Sequence, residues 1–115
     1  ALELGRPAEA RTRYRRALAL DPNNAEIWTN YGAACYAMGD LTAAAAAFRA
    51  AIARDRRSVR DHANLAICLR ELGRAQEARA ALEIALRLQP DHTLARNALR
   101  EIVGGSAPSP RSEIR

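Results

Sequence analysis

The chain has 115 residues and a formal charge of +5, and all eighteen of its basic residues are arginines. Its length suits one domain, and it shows neither a secretory signal pattern nor an apolar run near the ~20 residues of a membrane span. Because 49% of the residues are apolar but only one tryptophan, three tyrosines and one phenylalanine are present, an alanine-rich helical core is favoured over a sheet.

Capping and breaking residues divide the chain into six predicted helices. Five of them begin near a proline or a polar residue that can cap a helix, and five end near a glycine or a proline. The predicted helices run from near Pro7 to before Pro22, from Asn23 or Asn24 to about Met38, from Asp40 to about Arg54, from Ser58 to before Gly73, from about Ala75 to Leu88, and from about Asp91 to Val103.

The sequence repeats at an interval of 34 residues. Several independent positions share this interval, which indicates a repeat architecture built from helix pairs. The matched sets are Gly5, Gly39 and Gly73; Ala10, Ala44 and Ala78; Ala17, Ala51 and Ala85; Tyr14, Phe48 and Leu82; and Tyr31, Leu65 and Leu99.

The repeated residues resemble the signature of the tetratricopeptide repeat (TPR) family. The resemblance covers residues 1–103 and implies an all-α, right-handed α-solenoid of antiparallel helix pairs with about two and a half to three repeats. Three positions depart from it: Cys35 replaces a tyrosine, His62 a tryptophan and Arg56 the turn proline. The residues that carry the resemblance are Trp28, Tyr31, Gly32, Gly39, Ala44, Phe48, Ala51 and Pro90.

The repeat interval also predicts how the chain is organised. We expect the second helix of one repeat at 1–24, whole repeats at 25–58 and 59–92, a capping helix at 93–103, and a disordered tail or linker at 104–115. Arg96 and Arg100 replace Trp28 and Gly32 in the last helix, so we expect this helix to be solvated, with Leu99, Ile102 and Val103 packing backwards.

Two asparagines recur on the helix face opposite the predicted packing stripe. At 100° per residue, Trp28, Tyr31, Gly32 and Cys35 form the stripe, whereas Asn30 lies about 200° from Trp28. Asn64 repeats this placement in the next unit, and the two amides should line one groove.

An amide offers both a donor and an acceptor and therefore matches the peptide unit of an extended chain. The pattern is similar to the asparagine ladder in the TPR region of O-GlcNAc transferases, and the resemblance implies that Asn30 and Asn64 bind a peptide main chain. The alternative is that both amides bond to a neighbouring helix. A carboxylate clamp needs basic residues around these asparagines, where Thr29, Ala33 and Ile67 lie instead.

The leading hypothesis is a noncatalytic interaction module that binds an extended peptide or protein segment in its concave groove. Asparagine costs up to about 0.7 kcal/mol in a helix interior, so the repeated amides require compensation. The predicted contact residues are Asn30, Asn64, Glu26, Thr29, Ala33, Tyr36, Arg60, Ile67, Arg70 and Asn97.

We find no pattern that predicts catalysis, a metal or a cofactor. His62 and His92 have no ligand spacing with Cys35 or Cys68, and we interpret His62 and both cysteines as packing residues. Two cysteines do not form a disulfide framework, and we expect a cytoplasmic protein. Because only Tyr36 is expected to be an exposed aromatic, stacking on nucleic acid is disfavoured, and the arginine clusters are interpreted as a solvated face or as coding bias.

Two further hypotheses stay open. The domain could be the substrate-docking region of a larger enzyme, such as a glycosyltransferase. Alternatively, it could self-assemble through its first helix, where Tyr14, Ala17 and Leu18 face only a short partner segment at residues 1–4.

Overall fold

The computed structural model describes residues 6–104, and within this range the chain forms six helices and no strand. The predicted partner segment at residues 1–4 and the predicted tail beyond Gly104 lie outside the described residues. The helices are α1 (Pro7–Leu20), α2 (Ala25–Ala37), α3 (Leu41–Arg54), α4 (Val59–Glu71), α5 (Ala75–Leu88) and α6 (Thr93–Val103).

The helices pack as successive antiparallel pairs. Helix α2 packs against α3 to form a first unit, and α4 packs against α5 to form a second unit. The units meet through α3 and α4, while α1 packs against α2 and α6 against α5. This arrangement extends over 51 × 29 × 22 Å and confirms the predicted all-α solenoid.

Glycines close the first helix of each unit as predicted. Gly39 has a φ of 80° and Gly73 a φ of 82°, a left-handed conformation that a Cβ atom disfavours. In the first unit the Asp40 N–H donates to the Cys35 carbonyl at 3.0 Å, and the second unit repeats this bond. These turns satisfy carbonyls at the helix end and reverse the chain into the next helix.

Side-chain caps begin four of the helices. The sequence did not predict the last cap: the ring of His92 accepts a hydrogen bond from the backbone N–H of Ala95, so α6 begins at Thr93 and not at Asp91. The predicted caps Asn24, Asp40 and Ser58 are confirmed, with bonds of 3.1 to 3.3 Å to the backbone N–H groups of Ile27, Ala43 and Asp61.

The turn at residues 55–58 forms without a proline. The Ser58 N–H donates to the Asp55 carbonyl at 3.3 Å, which matches the bond from Asn24 to Asp21 in the turn that contains Pro22. The Asp55 carboxylate also accepts from the Arg57 N–H at 3.3 Å. This aspartate therefore stabilises the turn that Arg56 made uncertain from the sequence.

The predicted packing stripes are buried between the helices. Cys35, Leu65, Ala66 and Leu69 belong to the core, and Gly32 lies against Phe48 of α3. A Cβ atom at Gly32 would lie 2.8 Å from the Phe48 ring, so the glycine is what allows α2 and α3 to approach.

The last helix packs only in part as predicted. Leu99 and Ile102 pack against the core, and Arg96 and Arg100 are exposed. Val103, however, is 55% exposed, which makes the prediction of its backward packing wrong. It is the last residue of α6 and extends past the core formed with α5. Among residues 6–104, no helix has the length and apolar character needed to cross a membrane.

Candidate binding groove

Helices α2 and α4 lie side by side and are joined by side chains near both of their ends. Near their N-terminal ends the Thr29 hydroxyl and the Asp61 carboxylate form a buried hydrogen bond of 2.7 Å. Near their C-terminal ends the Tyr36 hydroxyl donates to Glu71 at 2.6 Å. We call the surface between these two bonds the inner groove; it carries the predicted contact residues Asn30, Ala33, Tyr36, Asn64 and Ile67.

A hollow of about 160 Å³ lies within the inner groove. Its walls are Ala33 and Tyr36 of α2 with Asn64 and Ile67 of α4, and the ring of Phe48 reaches it from α3. Most of this lining is apolar, and the Asn64 amide is the polar group within it that is not already bonded. The hollow could therefore receive one small apolar side chain while its wall offers hydrogen bonds.

The two recurring asparagines are half-buried. Within residues 6–104, the side-chain amides of Asn30 and Asn64 make no hydrogen bond, so neither is bonded to a neighbouring helix. Asn64 borders the hollow, and Asn30 lies one turn before Ala33 on α2. Partly desolvated amides without a partner gain from a ligand that supplies one.

Thr29 departs from its predicted place at the edge of the open face. Its side chain is 4% exposed, and its hydroxyl lies 3.2 Å from the Ala25 carbonyl as well as 2.7 Å from Asp61. The expectation that it is exposed is wrong because Asp61, 2% exposed, draws it into the junction between α2 and α4. We therefore leave Thr29 out of the proposed contact surface.

The predicted charged contacts divide into free and bonded side chains. Glu26 and Arg60 are exposed and make no ion pair within residues 6–104. Arg70 is bonded to Glu101 of α6 at 2.6 Å. Thus Arg60 is available for a ligand carboxylate, whereas Arg70 already joins α4 to α6.

Asn97 is not brought to the hollow. Its side-chain oxygen accepts from Arg100 at 3.1 Å on the same helix. The position in α6 equivalent to Asn64 is Ala98, which is buried. The two asparagines that recur at the repeat interval therefore lie on α2 and α4, and α6 adds no third.

Three residues of the groove were missed by the sequence analysis. Asp61 lies three residues after Ser58, which is the spacing of a capping box, and Phe48 occupies a repeat position where large residues recur. Glu71 lies seven residues, or about two helical turns, after Asn64 and so shares its helix face, a spacing that could have indicated its role. Their contacts with other helices depend on distances that the helical period does not give.

The ionisable groups near the groove show shifts in pKa caused by burial and by neighbours. Glu71 accepts a hydrogen bond from the Tyr36 hydroxyl, and this bond together with partial burial raises the pKa of Tyr36. Burial raises the pKa of the Cys35 thiol and raises that of Cys68 to about 11. Both thiols thus stay neutral at physiological pH, which is consistent with their packing role.

The described part of the chain contains no group of three or more histidine, cysteine, aspartate or glutamate side chains placed to hold a metal ion. The cysteines are both buried and unpaired. The inner groove therefore offers hydrogen bonds and an apolar hollow, and Arg60, next to Asp61 in the chain, carries a guanidinium group without an ion pair. These are the elements of a binding surface.

Comparison with known proteins identifies relatives of this fold. Family models described as tetratricopeptide repeat match residues 1–59 and residues 36–102. A search of curated protein sequences found no match.

Several solved structures are similar along most of their length. The first TPR of Spaghetti (RPAP3), bound to the HSP90 peptide SRMEEVD, is 25% identical with a TM-score of 0.85; the match covers 89% of this chain and 81% of that one. The second TPR domain of human RPAP3, in complex with the HSP70 peptide SGPTIEEVD, is 26% identical with a TM-score of 0.83, over 86% and 82% of the two chains. The chaperone SycD of Yersinia enterocolitica, in complex with a peptide of the translocator YopD, is 22% identical with a TM-score of 0.83, over 90% and 84%, and this match concerns the fold alone.

Proposed function

The chain belongs to the tetratricopeptide repeat family, and we propose that it is a noncatalytic module that binds an extended peptide or protein segment in the inner groove. One observation carries this proposal: Asn30 and Asn64, one repeat apart, have half-buried amides without a hydrogen-bond partner, and Asn64 borders an apolar hollow. The two RPAP3 domains, which are similar in fold and bind peptides, support it.

The amides suit the main chain of a ligand better than its side chains. Each can donate to a peptide carbonyl and accept from a peptide N–H. A hydrogen bond adds about 1 kcal/mol net, whereas association costs at least about 4 kcal/mol in lost freedom. Other contacts must therefore add to the affinity, and the hollow between Ala33 and Ile67 is the nearest source of apolar contact.

The surroundings of the asparagines favour an internal segment over a free C-terminal carboxylate. Ala33 and Ile67 place apolar groups beside the amides, and Thr29 is buried. Arg60 is the free cation among the predicted contacts, and one guanidinium group does not form a clamp. We therefore expect a ligand with one small apolar side chain in the hollow.

The other two hypotheses from the sequence concern a larger enzyme that contains this domain and the self-association of the domain, and neither changes the proposed role of the groove. A substrate-docking region of a larger enzyme would use the same amides, and the similarity to O-GlcNAc transferases and the cytoplasmic location stay predictions. Self-association through α1 is a separate hypothesis, and light scattering over a range of protein concentrations tests it.

The test is a selection of random displayed peptides on the wild-type protein. Peptides of about twelve residues suffice, because an extended chain spans ~3.4 Å per residue. The Asn30→Ala/Asn64→Ala variant should bind groove-directed peptides about thirtyfold more weakly, since two hydrogen bonds of about 1 kcal/mol each are lost.

The matched control replaces two exposed asparagines outside the inner groove, Asn23→Ala and Asn97→Ala, and should leave the affinity unchanged. Circular dichroism verifies that both variants keep the fold. A second variant, Ala33→Trp, fills the hollow and should also weaken binding. If every selected peptide binds all these variants as well as the wild type, the inner groove is not the binding site.

A further inference from the structure

A second and larger hollow lies between the second helices of the two units. We call it the outer hollow; its volume is about 330 Å³, twice that of the hollow in the inner groove. Pockets of a few hundred Å³ are large enough to bury most of a small ligand or several side chains. The apolar residues that line the outer hollow are Ile52, Leu65, Leu69, Ala80, Ala81 and Ile84.

Small residues on α5 create the outer hollow. Ala80 and Ala81 face it without filling it, and its floor is formed by Leu65 and Leu69 of α4, which lies beneath α3 and α5. Both leucines are buried within the core, whereas Ala80 is exposed at the rim. The hollow therefore has a rigid apolar floor that is open to solvent above.

The charges around the outer hollow are unbalanced. At one end Arg49 of α3 pairs with Glu77 of α5 at 3.3 Å, and Glu77 is also bonded to Arg74. On α5 the carboxylate of Glu83 pairs with Arg79 at 3.2 Å. The carboxylates along this side of α5 are thus already neutralised by arginines.

Two arginines that follow or precede lining residues near the other end have no such ion-pair partner in the described part of the chain. The ring of His62, which lines the hollow, lies 3.0 Å from the Arg56 carbonyl, and Arg87 follows Ile84 by one turn on the same face of α5. Both arginine side chains are exposed and make no hydrogen bond or ion pair within residues 6–104. A ligand that brings carboxylates to this end would complement them.

We propose that the outer hollow docks a segment of a partner protein in which aliphatic side chains adjoin acidic ones. The aliphatic side chains cover Leu65 and Leu69, and the carboxylates pair with Arg56 and Arg87. This site differs from the inner groove in chemistry. No amide lines it, and it recognises carboxylates and aliphatic side chains of the ligand. One copy of the chain then holds two segments at once, as a scaffold does.

The same displayed peptide library tests this site with a different set of variants. Ala80→Trp fills the hollow from an exposed position, and Arg56→Glu/Arg87→Glu reverses the charge at its open end. We expect one class of selected peptides, rich in aliphatic and acidic residues, to bind both variants at least about tenfold more weakly. The same peptides should bind Asn30→Ala/Asn64→Ala with wild-type affinity and should weaken as salt is raised.

Other outcomes overturn the proposal. If no selected peptide loses affinity for Ala80→Trp and for the charge-reversed variant, the outer hollow is not a docking site. The same conclusion follows if the peptides that respond to these variants carry basic side chains. If the asparagine variant is the only variant for which any selected peptide loses affinity, the inner groove is supported and the outer hollow is not a docking site, so the two proposals fail separately.

Discussion

The first and second units have the same pair of helices, but different side chains form some of their equivalent contacts. Trp28 of the first unit donates its ring N–H to the Pro22 carbonyl at 2.8 Å. His62 occupies the equivalent position, and its Nε2 lies 3.0 Å from the Arg56 carbonyl, the equivalent acceptor. The repeat thus preserves a ring nitrogen that holds the preceding turn, although the residue that supplies it differs.

The units also differ in how they fill the space between their two helices. The first unit places Gly32 against Phe48, and the equivalent residues of the second are Ala66 and Leu82, which are buried in the same core. The second unit thus has a larger residue (Ala66) in place of Gly32 and a smaller one (Leu82) in place of Phe48. Close packing requires this compensation because little empty volume is tolerated in a protein interior.

The hydrogen bond between Thr29 and Asp61 is not repeated at the equivalent positions of the two units. Thr29 and Asp61 join the units to each other, and the equivalent residues are Ala63 and Ile27, which are both apolar. The units are therefore similar in their internal packing and distinct in how their first helices meet. The predictions below test these differences.

We expect the largest effect from Thr29→Val, which removes the hydroxyl and keeps the shape of the side chain. The buried Asp61 carboxylate then loses its side-chain partner, which should lower the free energy of unfolding by about 2–3 kcal/mol. Urea denaturation measures the loss. The matched control is Thr42→Val at an exposed position of α3.

The double variant Thr29→Val/Asp61→Leu tests whether the loss of stability comes from leaving a buried carboxylate without a partner. It makes both positions apolar, as they are in Ala63 and Ile27, and should recover most of the lost stability because no buried polar group is left unpaired. A loss below about 0.5 kcal/mol for Thr29→Val, within the usual range for surface substitutions, would show that the bond does not stabilise the junction.

The sequence predicted the parts of the fold that depend on local geometry. Caps at Asn24 and Asp40 and the left-handed turn at Gly39 follow from a few adjacent residues. The helical period likewise predicted that Asn30 and Asn64 lie opposite the packing stripe, and both residues are half-buried and outside the buried core. These features need no knowledge of how far apart the helices lie.

The contacts between helices could not be predicted in the same way. Ser58 and Asp61 fit a capping box, but only the first half of it forms, because Asp61 bonds to Thr29 instead. The bond between Tyr36 and Glu71 joins residues 35 positions apart, so the interval of 34 does not align them. Such contacts depend on the separation and rotation of packed helices.

A smaller effect is expected from Gly32→Ala. The added Cβ would lie 2.8 Å from the Phe48 ring, and overpacking costs about 1–3 kcal/mol, partly offset by a gain of up to about 1 kcal/mol in helix propensity. We expect a net loss of about 1 kcal/mol in the free energy of unfolding. In a Phe48→Leu background the same change should be neutral or stabilising, because the pair then matches Ala66 and Leu82.

A double-mutant cycle measures this compensation between the two positions. Denaturation of the two single variants and the double variant gives a coupling energy, for which about 1 kcal/mol is expected between residues in contact. Additive effects would contradict the explanation that the small and large residues were matched to each other.

The smallest effect concerns equivalent positions at the end of each first helix, where Tyr36 bonds to Glu71 and Arg70 bonds to Glu101. Because Glu71 raises the pKa of Tyr36 above its ordinary value of about 10, the folded state favours the protonated phenol. The stability from this bond should be fully present below pH ~10 and be lost as the pH rises through the raised pKa of the folded state.

Alkaline titration of the phenolate absorbance tests this expectation. Glu71→Gln should return the ionisation of Tyr36 towards its ordinary range, and Tyr36→Phe should remove the late-ionising group from the titration. Tyr36→Arg copies the residue of the second unit and has no phenolic proton to lose, so its denaturation midpoint should not show the alkaline loss that this bond causes. If Glu71→Gln leaves the titration unchanged, the bond across the inner groove does not persist in solution, and Tyr36 is free to contact a ligand directly.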